Sequence, residues 1–159
     1  MRIIYKSFLL IFLLFIIAAC AETQSDISSG VLQNNLEKWQ EMGIKDYRIE
    51  VMAVNSIWHA QKNSLTVMNG SPTDSDSVCF PAPMEVGTCI INSFNVHDFQ
   101  VEGLFDKTKE MLESDGFVNT KIKYDPDFGF PVEISYDDPA VADDDWSWQV
   151  ISFTQISDK

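Results

Sequence analysis

Residues 101–116, VEGLFDKTKEMLESDG, carry the clearest secondary-structure signal in the chain. Their core-type side chains recur every three or four residues, the spacing of one face of an α-helix. The stripe consists of Val101, Leu104, Phe105, Thr108, Met111 and Leu112. Gly116 lies where a helix commonly ends, and Asp98 precedes the stripe as a candidate N-cap. We predict a helix that separates an earlier from a later group of strands.

The segment before this helix predicts another helix and two strands. Leu32, Leu36 and Trp39 occupy one helical face, and a glycine follows at residue 43. Residues 46–54, DYRIEVMAV, alternate apolar with polar side chains, as a half-buried strand does. Residues 64–70, SLTVMNG, predict a second strand that ends in an Asn-Gly turn. Residues 71–96 are rich in Ser, Pro and Asp, and we predict a long loop there with at most one short strand, around Ile90.

Three further strands are predicted after the helix, in VNTKIKY, PVEISY and WSWQVISFTQI. Trp146 and Trp148 alternate in the last of them, so both should point to one face. Core packing is the default for such a pair, whereas an exposed face would make it an interface anchor. The element order predicts an α+β fold, with two helices packed on one face of an antiparallel sheet of about four to five strands.

The first 19 residues have the pattern of a secretory signal peptide. Arg2 and Lys6 precede an apolar run over residues 8–17, and two alanines lead to Cys20. The segment from Ser7 to Ala19 has only 13 residues, whereas a membrane-spanning helix needs about 20 apolar residues. The segment is therefore expected to be removed rather than to span the membrane.

The end of this segment, Ile17-Ala18-Ala19-Cys20, resembles a bacterial lipobox. That resemblance implies a diacylglyceryl group on the Cys20 thiol, cleavage before Cys20 and acylation of the new amino terminus. The alternative is an ordinary secretory signal with a chance cysteine. Ala21 follows, and by the Gram-negative sorting rule it implies the outer membrane, facing the periplasm. We expect residues 20–30 to be a lipidated flexible tether and residues 31–159 to form one domain.

Charge restricts the partners of the mature chain. The full chain has 11 cationic and 24 acidic residues; without Arg2 and Lys6 the formal charge becomes −15. Such a chain is repelled by nucleic acids and anionic lipid headgroups, so we expect membrane attachment through the lipid alone. A basic protein, a polycation or a divalent metal would be favoured, although high charge also simply keeps proteins soluble.

Two cysteines remain beside the lipidation site, Cys79 and Cys89. An even pair in an exported chain predicts one disulfide. A metal or redox pair is the alternative, but nine intervening residues do not match the two-residue spacing of redox motifs. Zinc would require further ligands, for which only His59 and His97 are present.

The most distinctive segment is KYDPDFGFPVEI, residues 123–134. Asp125-Pro126 starts a turn, and Gly129 permits a positive φ. One interpretation is a stiff hairpin with aromatic side chains packed over it. The other is a rigid interaction loop presenting Tyr124, Phe128, Phe130 and Pro131.

Several short motifs occur together in a familiar order. They are Trp39, Asp46-Tyr47, Asn69-Gly70, Leu104-Phe105, Tyr124-Asp125-Pro126, Gly129-Phe130-Pro131 and Ile134. In this order they resemble the bacterial lipoprotein family catalogued as domain of unknown function 6174, over residues 31–153. Many members carry a cysteine pair late in the first strand, where this chain has Ile57-Trp58-His59. The resemblance implies the fold and no known activity.

Residues 137–145 form the most acidic segment and are a candidate calcium site. Its acids are Asp137, Asp138, Asp143, Asp144 and Asp145. Carboxylate oxygens suit calcium, but the spacing departs from the EF-hand pattern. The alternative is a solvated loop between strands.

The chain has no Gly-x-Ser-x-Gly motif and no phosphate-binding glycine loop, so we predict neither an enzyme nor a cofactor. The sequence instead predicts a protein-interaction module at the cell envelope. A binder of calcium or polycations is the alternative.

Overall fold

The structure is a computed structural model that describes residues 29–56, 59–80, 95–114, 119–141 and 145–157. Helix α1 covers residues 29–42 and helix α2 covers Val101–Glu113, directly after a 3₁₀ turn at Val96–Phe99. The strands are β1 (Tyr47–Ser56), β2 (His59–Met68), β3 (Ser71–Phe80), β4 (Thr120–Tyr124), β5 (Pro131–Tyr136) and β6 (Trp146–Gln155). The predicted α+β fold is confirmed, with six strands rather than four to five.

All six strands form one antiparallel sheet in the order β3-β2-β1-β6-β5-β4. The strand nearest the C-terminus therefore lies in the middle, between β1 and β5. The tight connection from β2 to β3 uses Asn69 and Gly70, both with positive φ, as two-residue hairpins require. The predicted Asn-Gly turn is thus confirmed.

One face of the sheet is buried beneath the helices because apolar residues alternate along its central strands. On β1 the alternation places Tyr47, Ile49 and Val51 in the core, at most 1% exposed. Leu65 and Val67 of β2 lie beside them in register. The helices complete this core with Trp39, Val101, Leu104, Phe105 and Met111.

Helix α2 begins differently from the sequence prediction. Its N-cap is Gln100, which makes no capping hydrogen bond with its side chain. Asp98 lies instead within the 3₁₀ turn, which Asn95 caps by accepting a hydrogen bond from the His97 N–H. The turn and the helix are in close contact, since a Cβ on Gly103 would lie 2.0 Å from the His97 carbonyl oxygen.

The clearest difference from the sequence prediction is β3. Residues 71–96 are predicted as a loop, whereas residues 71–80 are a ten-residue strand paired with β2. The suggested strand around Ile90 lies outside the described residues. Within the described part of the chain, neither helix is long and apolar enough to cross a membrane.

Candidate functional site

The turn between β4 and β5 is closed by its own polar groups. Asp125 Oδ1 accepts hydrogen bonds from the backbone N–H groups of Asp127 and Phe128, each at 2.8 Å. The Asp125 N–H donates to the carbonyl of Phe130 at 2.8 Å. Gly129 has a φ of +84°, which glycine adopts without steric cost. The turn therefore forms as the sequence predicts.

This turn is also packed tightly against α1. Lys38 Nζ donates a hydrogen bond to the carbonyl of Pro126. A Cβ on Gly129 would lie 2.9 Å from the carbonyl oxygen of Asn35, closer than real Cβ atoms approach backbone. Only glycine therefore permits this distance between turn and helix.

The aromatic side chains of the turn contribute mainly to the core. Phe130 is 1% exposed, and its ring centroid lies 5.7 Å from that of Trp39 and 4.7 Å from that of Phe153. Phe128 packs on the same ring of Phe153 at 5.0 Å. Pro131 is fully buried. Phe130 and Pro131 of the candidate interaction loop are therefore inside the protein, as the packing interpretation expects.

Little of this loop remains at the surface. Pro126 and Asp127 are exposed, while Tyr124 and Phe128 are half-buried. Burial raises the pKa of Tyr124 to about 12, so its phenol is neutral at physiological pH. A partner would meet a two-residue tip and the edges of two rings.

Trp146 and Trp148 lie on the helix-covered face of β6, as their alternation predicts. Their ring centroids are 6.4 Å apart, and Lys107 Nζ lies 5.3 Å and 5.7 Å from them. The Phe99 ring packs on Trp148 at 4.7 Å. The tryptophans are half-buried, and the lysine contributes a cation–π contact. Most of this pair serves packing beneath α2.

A shallow cavity of about 280 Å³ lies beside Trp148, between the 3₁₀ turn and α2. His97 lines it, with Nδ1 3.0 Å from Gln100 Oε1 and Nε2 3.5 Å from the carboxylate of Asp106. The hydrogen bond with Gln100, followed by interaction with Asp106, raises the pKa of His97 above its ordinary value. None of the described lining residues is a serine, threonine or cysteine that this imidazole would activate.

The acidic segment is only partly described. Asp137, Asp138 and Asp145 are described, and Asp143 and Asp144 lie outside the described residues. Asp138 Oδ1 accepts a hydrogen bond from the Ala140 N–H at 2.9 Å, which closes a local turn. Within the described ranges no group of three or more His, Cys, Asp or Glu is arranged to hold a metal ion. Calcium binding here stays a prediction.

The sheet face opposite the helices is polar. The strand register places charged and hydroxyl side chains in two rows across it. The rows are Thr154-Arg48-Thr66-Asp74 and Ser152-Glu50-Ser64-Asp76, around an open cavity of about 320 Å³. Lys62 Nζ lies 3.0 Å from the carboxylate of Glu50, and this hydrogen bond lowers the pKa of Glu50.

The same face becomes apolar towards the end of β3. The register places Val54, Ala60 and Phe80 across three neighbouring strands, with Val78 two residues before Phe80. We call these four residues the apolar corner. Phe80 is 57% exposed and Val78 is 40% exposed. Large apolar side chains at the surface are a property of binding sites when they adjoin one another.

The sequence prediction does not include this corner, because a loop is predicted over residues 71–96. The signal was nevertheless present. Asp74, Asp76, Val78 and Phe80 follow one another at every second position, which is the period of a strand with one distinct face. The high content of serine and aspartate concealed that period.

The cysteine predictions lie mostly beyond the described part of the chain. Cys20 and Cys89 are outside the described residues. Cys79 is half-buried on β3, paired in register with Gln61 of β2. Lipidation at Cys20 and the Cys79–Cys89 disulfide therefore stay predictions.

Comparison with known proteins places the chain in a family without assigning it a role. The model of a family of unknown function, DUF6174, matches residues 31–155. The chain belongs to this family, as the order of its short motifs indicates. Searches of curated proteins and of solved structures return no match.

Proposed function

We propose that this protein is a lipid-anchored lipoprotein of the bacterial cell envelope whose folded domain binds another protein and catalyses no reaction. The anchor would be the lipid on Cys20, and residues 21–28 would connect it to α1, which begins at residue 29. If the source is Gram-negative, Ala21 favours the outer membrane, with the domain facing the periplasm.

The observation that carries the interaction role is the apolar corner. Its largest member, Phe80, exposes more than half of its surface at the end of a strand. Exposure of an aromatic ring to water costs free energy that burial against a partner would recover, and aromatic residues dominate the energetics of many interfaces. The turn at residues 125–130 does not offer a comparable aromatic surface, because Phe130 is buried, Phe128 is half-buried, and the exposed tip consists of Pro126 and Asp127.

Crosslinking in native membranes followed by co-purification tests this proposal. We expect one protein to be recovered with the wild-type chain and much less with Phe80→Ser. Thr154→Ala, an exposed change on the same sheet face, is the matched control. Recovery of no protein, or equal recovery with Phe80→Ser, would contradict the interaction role as proposed.

The anchor has a separate test. Mass spectrometry of the mature amino terminus should show a diacylglyceryl thioether and an amide-linked acyl chain on Cys20. The Cys20→Ala chain should lose both groups and leave the membrane fraction. An unmodified Cys20 in the membrane-extracted protein would contradict anchoring by lipid.

The acidic segment supports a second candidate function, binding of calcium or of a polycation through Asp137 to Asp145. Calcium titration followed by calorimetry and by thermal unfolding is its test, with sodium chloride of equal ionic strength as the control. A ligand that binds only the folded state raises the melting temperature. Absence of heat and of any calcium-specific shift would exclude the calcium form of this candidate.

A further inference from the structure

Strand β3 forms one edge of the sheet. Among the described residues it has a neighbouring strand on one side only, β2. All six residues from Ser71 to Asp76 are exposed, so the side chains on both faces of this half of the strand are accessible. An edge strand presents unpaired backbone N–H and C=O groups that an extended chain can pair with.

The opposite edge of the sheet differs. Strand β4 has only five residues, and its outward side chains, Lys121 and Lys123, both contact the carboxylate of Glu133 on β5. Short edge strands with lysines resist pairing with another chain. In β3, by contrast, Pro72 interrupts only the beginning, and residues 73–80 contain neither proline nor glycine. The long edge is therefore the one suited to accept a strand.

The outward side chains of β3 specify what would bind there. Asp74 and Asp76 are exposed, and Val78 and Phe80 follow on the same face. An antiparallel strand would place apolar side chains beside Phe80 and Val78, then cations beside Asp76 and Asp74. Directly opposed unlike charges and apolar pairs both stabilise neighbouring strands.

A second copy of the chain fits this edge poorly. Antiparallel pairing of β3 with itself would bring Asp74 and Asp76 of one copy near those of the other, and like charges across strands are destabilising. Each mature chain would also contribute a formal charge of −15. A cationic segment has no such penalty.

We infer that β3 binds an extended segment of a partner protein by strand addition, and that this segment has the antiparallel pattern apolar-x-apolar-x-cation-x-cation. This inference rests on the proposed interaction function and names its surface and the chemistry of its partner. Backbone hydrogen bonds along the edge supply affinity in this binding mode, and alternate side chains supply specificity.

The first experiment uses synthetic peptides and the full mature chain carrying Cys20→Ala. The probe is Thr-Phe-Thr-Val-Thr-Lys-Thr-Lys-Thr, read at the protein by shifts of its ¹⁵N–¹H amide signals. Shifts should concentrate on residues 73–80. A scrambled peptide, and one N-methylated at alternate residues to block pairing, should each bind at least tenfold more weakly. Equal binding of all three peptides would overturn strand addition.

Charge reversal tests the predicted register. Asp74→Lys with Asp76→Lys should weaken the lysine peptide about tenfold or more and should favour a peptide with glutamates in their place. Glu110→Lys with Glu113→Lys, on the exposed surface of α2, makes the same change in net charge and is the matched control. If both pairs of substitutions weakened binding of the lysine peptide equally, the effect would be non-specific electrostatic attraction, and the predicted register would be refuted.

Crosslinking in native membranes distinguishes a failure of this inference from a failure of the proposed interaction function on which it rests. A partner crosslinked by wild-type chain but lost with Asp74→Lys and Asp76→Lys supports both. A partner retained by that variant refutes strand addition at β3 while the interaction role stands. No partner from the wild type refutes both, and a dimer of this chain in sedimentation, abolished by the same variant, would assign the edge to self-association instead.

Discussion

Gly129 provides the sharpest test of how the turn between β4 and β5 is built. Replacement by alanine adds one methyl group at a φ of +84°, where that atom would lie 2.9 Å from the Asn35 carbonyl oxygen. A left-handed conformation costs alanine about 1–2 kcal/mol, partly offset by about 0.4–1 kcal/mol from the less flexible unfolded chain. Overpacking adds about 1–3 kcal/mol. We expect Gly129→Ala to destabilise the protein by about 2–4 kcal/mol.

Gly43 offers a matched control, because its φ is +60° and a Cβ there would meet nothing within 4 Å. Gly43→Ala should therefore cost only about 1 kcal/mol, the conformational part of the effect. Urea unfolding followed by tryptophan fluorescence measures both free energies, and about 3 °C of melting temperature should accompany each kcal/mol. Equal losses for the two variants would refute the claim that contact with α1 constrains the turn.

Three further outcomes can be measured on the same protein. Gly103→Ala should lower the free energy of unfolding by about 3 kcal/mol or more, because the new Cβ would lie 2.0 Å from the His97 carbonyl oxygen. Gly30→Ala, where a Cβ has open space, should stay within about 1 kcal/mol of wild type in urea unfolding. The pKa of His97, followed by NMR, should lie above its ordinary value and should fall in Asp106→Asn; an unchanged pKa in the variant would exclude the interaction with Asp106. Protonated His97 stabilises the folded protein fully below pH 6.5, and this contribution is lost as pH rises through the folded-state pKa. Hydrogen bonds from two lysines lower the pKa of Glu133, so its contribution to folding stability is present above pH 4.5 and is lost as pH falls through the folded-state pKa. If acid reduced the stability of the wild type and of Glu133→Gln equally, this expectation would be contradicted.

The helices and strands that can be located from the sequence are those in which apolar side chains recur with one regular spacing. The stripe of α2 and the alternation of β1 each report one buried face, so both positions follow from pattern alone. Strand β3 has a two-residue period from Asp74 to Phe80, but its first six residues are exposed on both faces, so no apolar side chain marks a buried face there. A strand without a buried face resembles a loop in composition.

The candidate surface was harder to predict than the fold for a related reason. The turn at residues 125–130 is rich in aromatic residues, but sequence alone does not distinguish a ring packed on Trp39 from a ring offered to a partner. The distinction depends on α1, nearly 90 residues earlier in the chain, which approaches the turn closely at Gly129. Contacts between residues so far apart in the sequence decide which side chains are buried, and a local sequence pattern contains no information about them.

The central position of β6 has a consequence for how this protein is made. A ribosome synthesises a chain from its N-terminal end, so β6, the strand that joins β1 to β5, is made last. Before β6 is made, β1 and β5 each lack the neighbouring strand that joins them in the complete sheet. The complete sheet therefore cannot form until nearly the whole domain has been synthesised. A nascent chain cut short before residue 146 would retain both open edges and should be cleared by proteases or aggregate.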